Sequence, residues 1–107
     1  MDIKCRDWQA WVNTMLPGPN KLIVAGDVVV GNPGIEVFLT MREPQGMVGT
    51  TLVLDLQFYQ KPGMWTQNVT CASAYFERIV PQGKKYTLVT IHNAGQAIAE
   101  IKVQEAS

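Results

Sequence analysis

Leu52-Val53-Leu54-Asp55-Leu56-Gln57-Phe58-Tyr59 is the stretch of this chain whose pattern decides the fold. Leu52, Leu54, Leu56 and Phe58 fall on one side of an extended backbone, and Val53, Asp55, Gln57 and Tyr59 fall on the other. Such a period of two marks a strand with one face in a core and one towards water. The residues are also leucine, valine and aromatics, which suit a pleated, half-buried surface.

The same period continues on both sides of this stretch. Ile35, Val37, Leu39 and Met41 alternate with Glu36, Phe38, Thr40 and Arg42. Leu22 to Val30 is almost wholly apolar around Gly26 and Asp27, which suggests a strand covered on both sides or bent at a bulge near the glycine. Gly31-Asn32-Pro33-Gly34 lies between these two runs. Proline sets φ at one turn position and the next glycine can supply a positive φ, so a type II reversal joining a hairpin is expected. Downstream, Asn68 to Val80 changes side-chain parity midway, and a bulge near Ser73 would reconcile it. Tyr86 to His92 and Ala97 to Gln104 read as a closing hairpin across Asn93-Ala94-Gly95.

The amino end is ambiguous. Trp8, Trp11, Val12 and Met15 fall at i, i+3, i+4 and i+7, the spacing of one helical face, with Asp7 placed to cap and Leu16-Pro17-Gly18-Pro19 to stop it. A short helix across the open end of the strands is the favoured reading. An edge strand on the alternation of Trp8, Ala10 and Val12 is the competing one. The expected fold is therefore all-β, a small antiparallel β-sandwich of about six to seven strands with a short N-terminal helix. The strand spacing resembles immunoglobulin-like or transthyretin-like sandwiches at the level of architecture. The immunoglobulin pattern of Cys, Trp and Cys on facing strands is missing.

The chain has 107 residues, which fits one domain over 1–107. Nine basic and nine acidic side chains cancel, so no chain-wide field draws in phosphate backbones, and nucleic acid is not an expected partner. No apolar run approaches the roughly 20 residues of a spanning helix, so no membrane partner is expected. Met1 to Asp7 lacks a basic segment followed by an apolar core, which points to a cytoplasmic chain, with a processed export product as the alternative. The two cysteines, Cys5 and Cys71, allow one bridge at most. Two partly buried thiols are the first reading, an intramolecular disulfide the second and a reactive thiol the third.

Little in the sequence points to catalysis. His92 is the only histidine, and its candidate partners are Asp55, Asp27 and Cys71. One histidine with two distant cysteines falls short of a zinc ligand set, so no metal or cofactor is expected. A hydrolase or redox enzyme built on His92, Cys71 or an aspartate ranks last among the functions, and the chain reads as a non-enzyme.

More telling are apolar residues where water is expected. Met64 and Trp65 lie in one turn and Met47 in another loop, while Phe38 and Tyr59 lie on the polar sides of otherwise clean strands. Exposed aromatics and methionines mark contact surfaces, although loop tryptophans and methionines also cap the ends of small cores. The leading expectation is a protein-interaction or structural module with a protein partner or self-association, including a homodimer through the Phe38 and Tyr59 face. The alternative is an inhibitor or a carrier of a small apolar ligand that uses the loops Gln45 to Gly49 and Pro62 to Gln67.

Overall fold

The computed structural model describes residues 5–14, 18–42, 49–81 and 85–106. It contains seven strands: β1 (Gln9–Asn13), β2 (Lys21–Val30), β3 (Ile35–Met41), β4 (Thr51–Gln60), β5 (Thr70–Ile79), β6 (Leu88–Asn93) and β7 (Gln96–Ala106). They form one sheet in the order β3-β4-β6-β7-β1-β2-β5. The two end strands, β3 and β5, also lie against each other, so the sheet curls almost into a barrel.

The all-β expectation holds, and the pairing differs from the antiparallel sandwich that the pattern suggested. β4 runs parallel to β6, and β1 runs parallel to β7. Alternation reports which side chains share a face and carries no information about a strand's neighbour, so it cannot distinguish a parallel ladder from an antiparallel one. The expected hairpin across Gly31–Gly34 does not form either. β2 pairs with β5, and β3 pairs with β4. The intervening turn carries the chain from one side of the curled sheet to the other. Asn32 shapes this turn, its Oδ1 accepting from the Gly34 N–H at 2.9 Å, and Gly34 does not adopt the positive φ of a type II turn.

At the amino end the strand reading holds and the helix reading does not. Gln9–Asn13 is held on both sides, antiparallel to β2 and parallel to β7. Two ladders outweigh the weak helical periodicity of so short a segment. Ala10 and Val12 turn towards the core with Leu22 and Val24. The bulge also lies elsewhere than expected. β2 and β5 pair without a break over all ten positions, and the irregularity falls between Ile91 and His92. The closing hairpin between β6 and β7 is as expected. Ala94 at φ 51° and Gly95 at φ 84° give the two positive angles of a type I′ turn.

The core is one continuous cluster in which Leu22, Val24, Leu52, Leu54, Val89 and Ile91 are fully buried. Among the described residues it contains no buried polar or charged side chain. Each of these aliphatic side chains contributes on the order of 1.5–3 kcal/mol by leaving water.

Two tryptophans are each seated on a glycine, and Trp8 also packs against the core cluster. A Cβ on Gly26 would lie 2.5 Å from the six-membered ring of Trp8, and one on Gly34 would clash with the Trp65 indole. Trp65 also donates from Nε1 to the Lys61 carbonyl at 2.9 Å, and the Lys61 ammonium sits 5.3 Å from its ring centre.

The two cysteines form a disulfide, which corrects the reading of two separate thiols. Cys5 and Cys71 have a Cα separation of 5.8 Å, within the range a bridge requires. The bond ties the segment before β1 to β5. Asp27 reinforces it, accepting from the Arg6 backbone N–H at 2.9 Å and from Ser73 Oγ at 3.0 Å. The Asp27 N–H in turn donates to the Arg6 carbonyl at 3.1 Å.

Two outcomes test this packing. Gly26→Ala and Gly34→Ala each lower stability by about 1–3 kcal/mol through overpacking, and adding Trp8→Leu to Gly26→Ala recovers part of the loss in urea unfolding. The pair Cys5→Ala/Cys71→Ala opens a loop whose ends are 66 positions apart. Its unfolding free energy falls by about 2–5 kcal/mol, measured against the oxidised parent in denaturant.

Candidate interaction surface

β3 and β4 form one part of the sheet that faces outward with aromatic side chains, as Tyr75 does on β5. Val37 and Leu39 point into the core, so Glu36, Phe38 and Thr40 point away from it. On β4, Leu52, Leu54 and Leu56 point inward, and Asp55, Gln57 and Tyr59 point outward. The register places Glu36 opposite Tyr59 and Phe38 opposite Gln57. Phe38 and Tyr59 are therefore diagonal neighbours, a spacing across which aromatic rings reach each other. They are 47 % and 53 % exposed.

Phe58 was counted as a core residue by parity and is instead 49 % exposed. The cause is the length of the neighbouring strand. β6 pairs with β4 only from Thr51 to Asp55, so the last residues of β4 extend past the end of that ladder, and Phe58, although it lies opposite the buried Val37, has no β6 residue beside it. The end of β4 and the start of β3 thus make a two-stranded ribbon with exposed rings on both faces. Parity alone finds Phe38 and Tyr59. Finding Phe58 requires knowing where β6 stops.

The other candidates separate. Met64 is fully exposed in the loop after β4. Trp65 is partly buried against Gly34. Met47 lies outside the described residues, as does most of the loop that begins at Gln45. Of the second loop, Pro62, Gly63, Met64, Thr66 and Gln67 are exposed.

His92 lies directly across the ladder from Asp55, one of the three partners that the sequence suggested. The carboxylate is already engaged: Arg42 donates from Nε to one oxygen at 3.2 Å and from Nη2 to the other. These bonds hold the Asp55 pKa below the ordinary aspartate value against a smaller desolvation effect, and the Arg42 and His92 charges add to the lowering. Cys71 is bridged to Cys5 and cannot serve as a thiol. The cluster therefore has an arginine-held acid beside a histidine, with no cysteine nucleophile. No group of three or more His, Cys, Asp or Glu placed to hold a metal occurs among the described residues.

Shallow clefts follow the strand edges. One, about 700 Å³, lies between β1 and β7 and includes Trp8, Trp11, Glu100 and Lys102 in its walls. A second, about 500 Å³, follows the seam between β3 and β5, with Glu36, Phe38, Thr70 and Ser73 among its walls. No helix of the described structure is long and apolar enough to cross a membrane. Comparison with protein-family models, curated proteins and solved structures gives no match.

Two further carboxylates share the direction of the Asp55 shift. The Arg6 backbone N–H, then Ser73 and the Arg6 charge, hold Asp27 low against some desolvation. Lys21 and Tyr75 do the same for Glu77. Groups with depressed folded pKa values stabilise the fold fully above their unfolded values, about 4, and lose that contribution as pH falls through the folded values. The urea midpoint therefore declines below about pH 4, and Asp27→Asn and Asp55→Asn each flatten the decline when it is followed by fluorescence.

Proposed function

We propose that this chain is a protein-interaction module that engages another polypeptide through the β3–β4 ribbon. One observation carries the reading: three large aromatic side chains, Phe38, Phe58 and Tyr59, stand about half exposed on one pair of strands. A folded chain gains nothing from leaving rings in water, and aromatics are among the residues that dominate contact surfaces. Met64, fully exposed in the loop that follows β4, offers an adaptable apolar side chain of the kind enriched at interfaces. The ion pair between Lys61 and Glu36 at 3.5 Å leaves this end of the ribbon electrically neutral.

The Cys5–Cys71 bond supports an oxidising compartment as the place of action, since cytosolic thiols are kept reduced. A carrier of small apolar ligands finds less support, because the clefts run along strand edges whose walls include charged residues such as Glu36, Glu100 and Lys102.

The test compares the parent chain with Phe38→Ser/Tyr59→Ser, both immobilised and exposed to an extract of the source. These side chains lie outside the core, so stability changes by roughly 0.5 kcal/mol or less per site. The expected result is a polypeptide retained by the parent and lost from the folded variant. Equal retention by both, or retention by neither, defeats the reading.

A further inference from the structure

The last residues of β4 present a backbone edge as well as aromatic rings. Gln57, Phe58, Tyr59 and Gln60 are all exposed. Their β3 side is paired as far as Gln60. On the opposite side the ladder with β6 ends at Asp55, because β6 turns back through Ala94 and Gly95 into β7. Among the described residues, no backbone group completes the ladder along Gln57–Gln60.

Natural sheets usually protect such an edge with lysine, proline, a bulge or a covering segment. This one contains two glutamines, a phenylalanine and a tyrosine, and its first proline, Pro62, comes only after the strand has ended. Side chains flank the edge on both faces of the sheet, with Phe58 on one and Phe38 and Tyr59 on the other.

We infer that the free edge of β4 at Gln57–Gln60 accepts an uncharged, extended peptide segment of a partner protein by strand addition. The inference rests on the proposed interaction function and specifies its mode. The added strand takes the ladder position that β6 leaves empty beyond Asn93. Its backbone pairs with β4, and its alternate side chains rest on Phe58 and on the Phe38–Tyr59 face.

Two features favour this occupant over a second copy of the chain. The three half-exposed rings offer on the order of 300 Å² together, well short of the roughly 800 Å² per partner that a stable dimer buries. A short peptide needs less area, because main-chain hydrogen bonds supply part of the affinity. The edge itself contains no ionisable carboxylate or amine, and Lys61 and Glu36 neutralise each other beside it, so an uncharged segment meets no unpaired charge there.

The experiment titrates the whole disulfide-bonded chain with a capped peptide of alternating valine and threonine, about seven residues long, the reach of a common strand. A second peptide of the same sequence carries N-methyl groups on alternate residues and cannot donate to a ladder. Amide hydrogen exchange is followed residue by residue. The expected result is saturable protection, at least about tenfold, of the Gln57–Gln60 amides that do not bond to β3. The methylated peptide gives none, and Tyr59→Lys weakens the effect without altering the fold.

Three outcomes overturn strand addition: no protection at millimolar peptide, equal protection by both peptides, or an edge already protected in a dimer seen by light scattering. If the Phe38 and Tyr59 resonances shift while the edge amides remain unprotected, the interaction face survives and the strand mode fails. If neither responds and the extract yields no partner, both fail.

Discussion

The constraint on which the rest of the structure depends is the double pairing of β7. Its first part, Gln96–Lys102, pairs antiparallel with β6, and its last part, Val103–Ala106, pairs parallel with β1. The strand thereby hands the sheet from one set of neighbours to the other. Without that transfer at Lys102 and Val103, β3, β4 and β6 would form one small sheet and β1, β2 and β5 another. With it, Ile101 and Val89 share a core with Leu22 and Val24. The cost appears at the opposite side of the curl. There β3 and β5 meet through side chains, including the Arg78 Nη1 bond to Met41 Sδ at 2.8 Å, without a backbone ladder.

Much of this arrangement could be read from side-chain alternation, and the parts that could not have a common cause. Leu52 to Tyr59 and Ile35 to Met41 are strands with the faces that their patterns assign, and the β6–β7 hairpin follows from its short turn. What alternation omits is the identity of each strand's neighbour. The turn at Gly31–Gly34 looked like a hairpin because its residues reverse the chain tightly. A reversal that crosses between two sides of a curl uses the same residue types. Cys5 and Cys71 could not be paired for a related reason: the contact depends on β1 and β5 both flanking β2, which only the ladders reveal. The N-terminal helix failed because four residues at helical spacing weigh less than two neighbouring strands.

The candidate surface divides in the same way. Phe38 and Tyr59 stood out because they occupy polar positions in clean strands, and the structure leaves both in solvent. Phe58 had the parity of a core residue and became exposed only because β6 ends early. Trp65 had the composition of a contact residue and is occupied in sealing Gly34. The proposed surface thus lies where two strands differ in length, a property that neither strand's own sequence records.

The position of β1 in the sheet order also bears on how the chain is made. Of the seven strands β1 comes first in chain order, yet one of its two ladders is formed with residues 103–106. During synthesis it can be held only by β2, while its other edge waits for almost a hundred further residues to be added. Contacts that join distant parts of a chain are slow to form. The cross-link from Cys5 to Cys71 becomes available once β5 has emerged, well before β7. Formed at that stage, the bond holds the segment before β1 beside β5 while β7 is still being translated, and the β1 edge that β7 pairs stays open until β7 arrives.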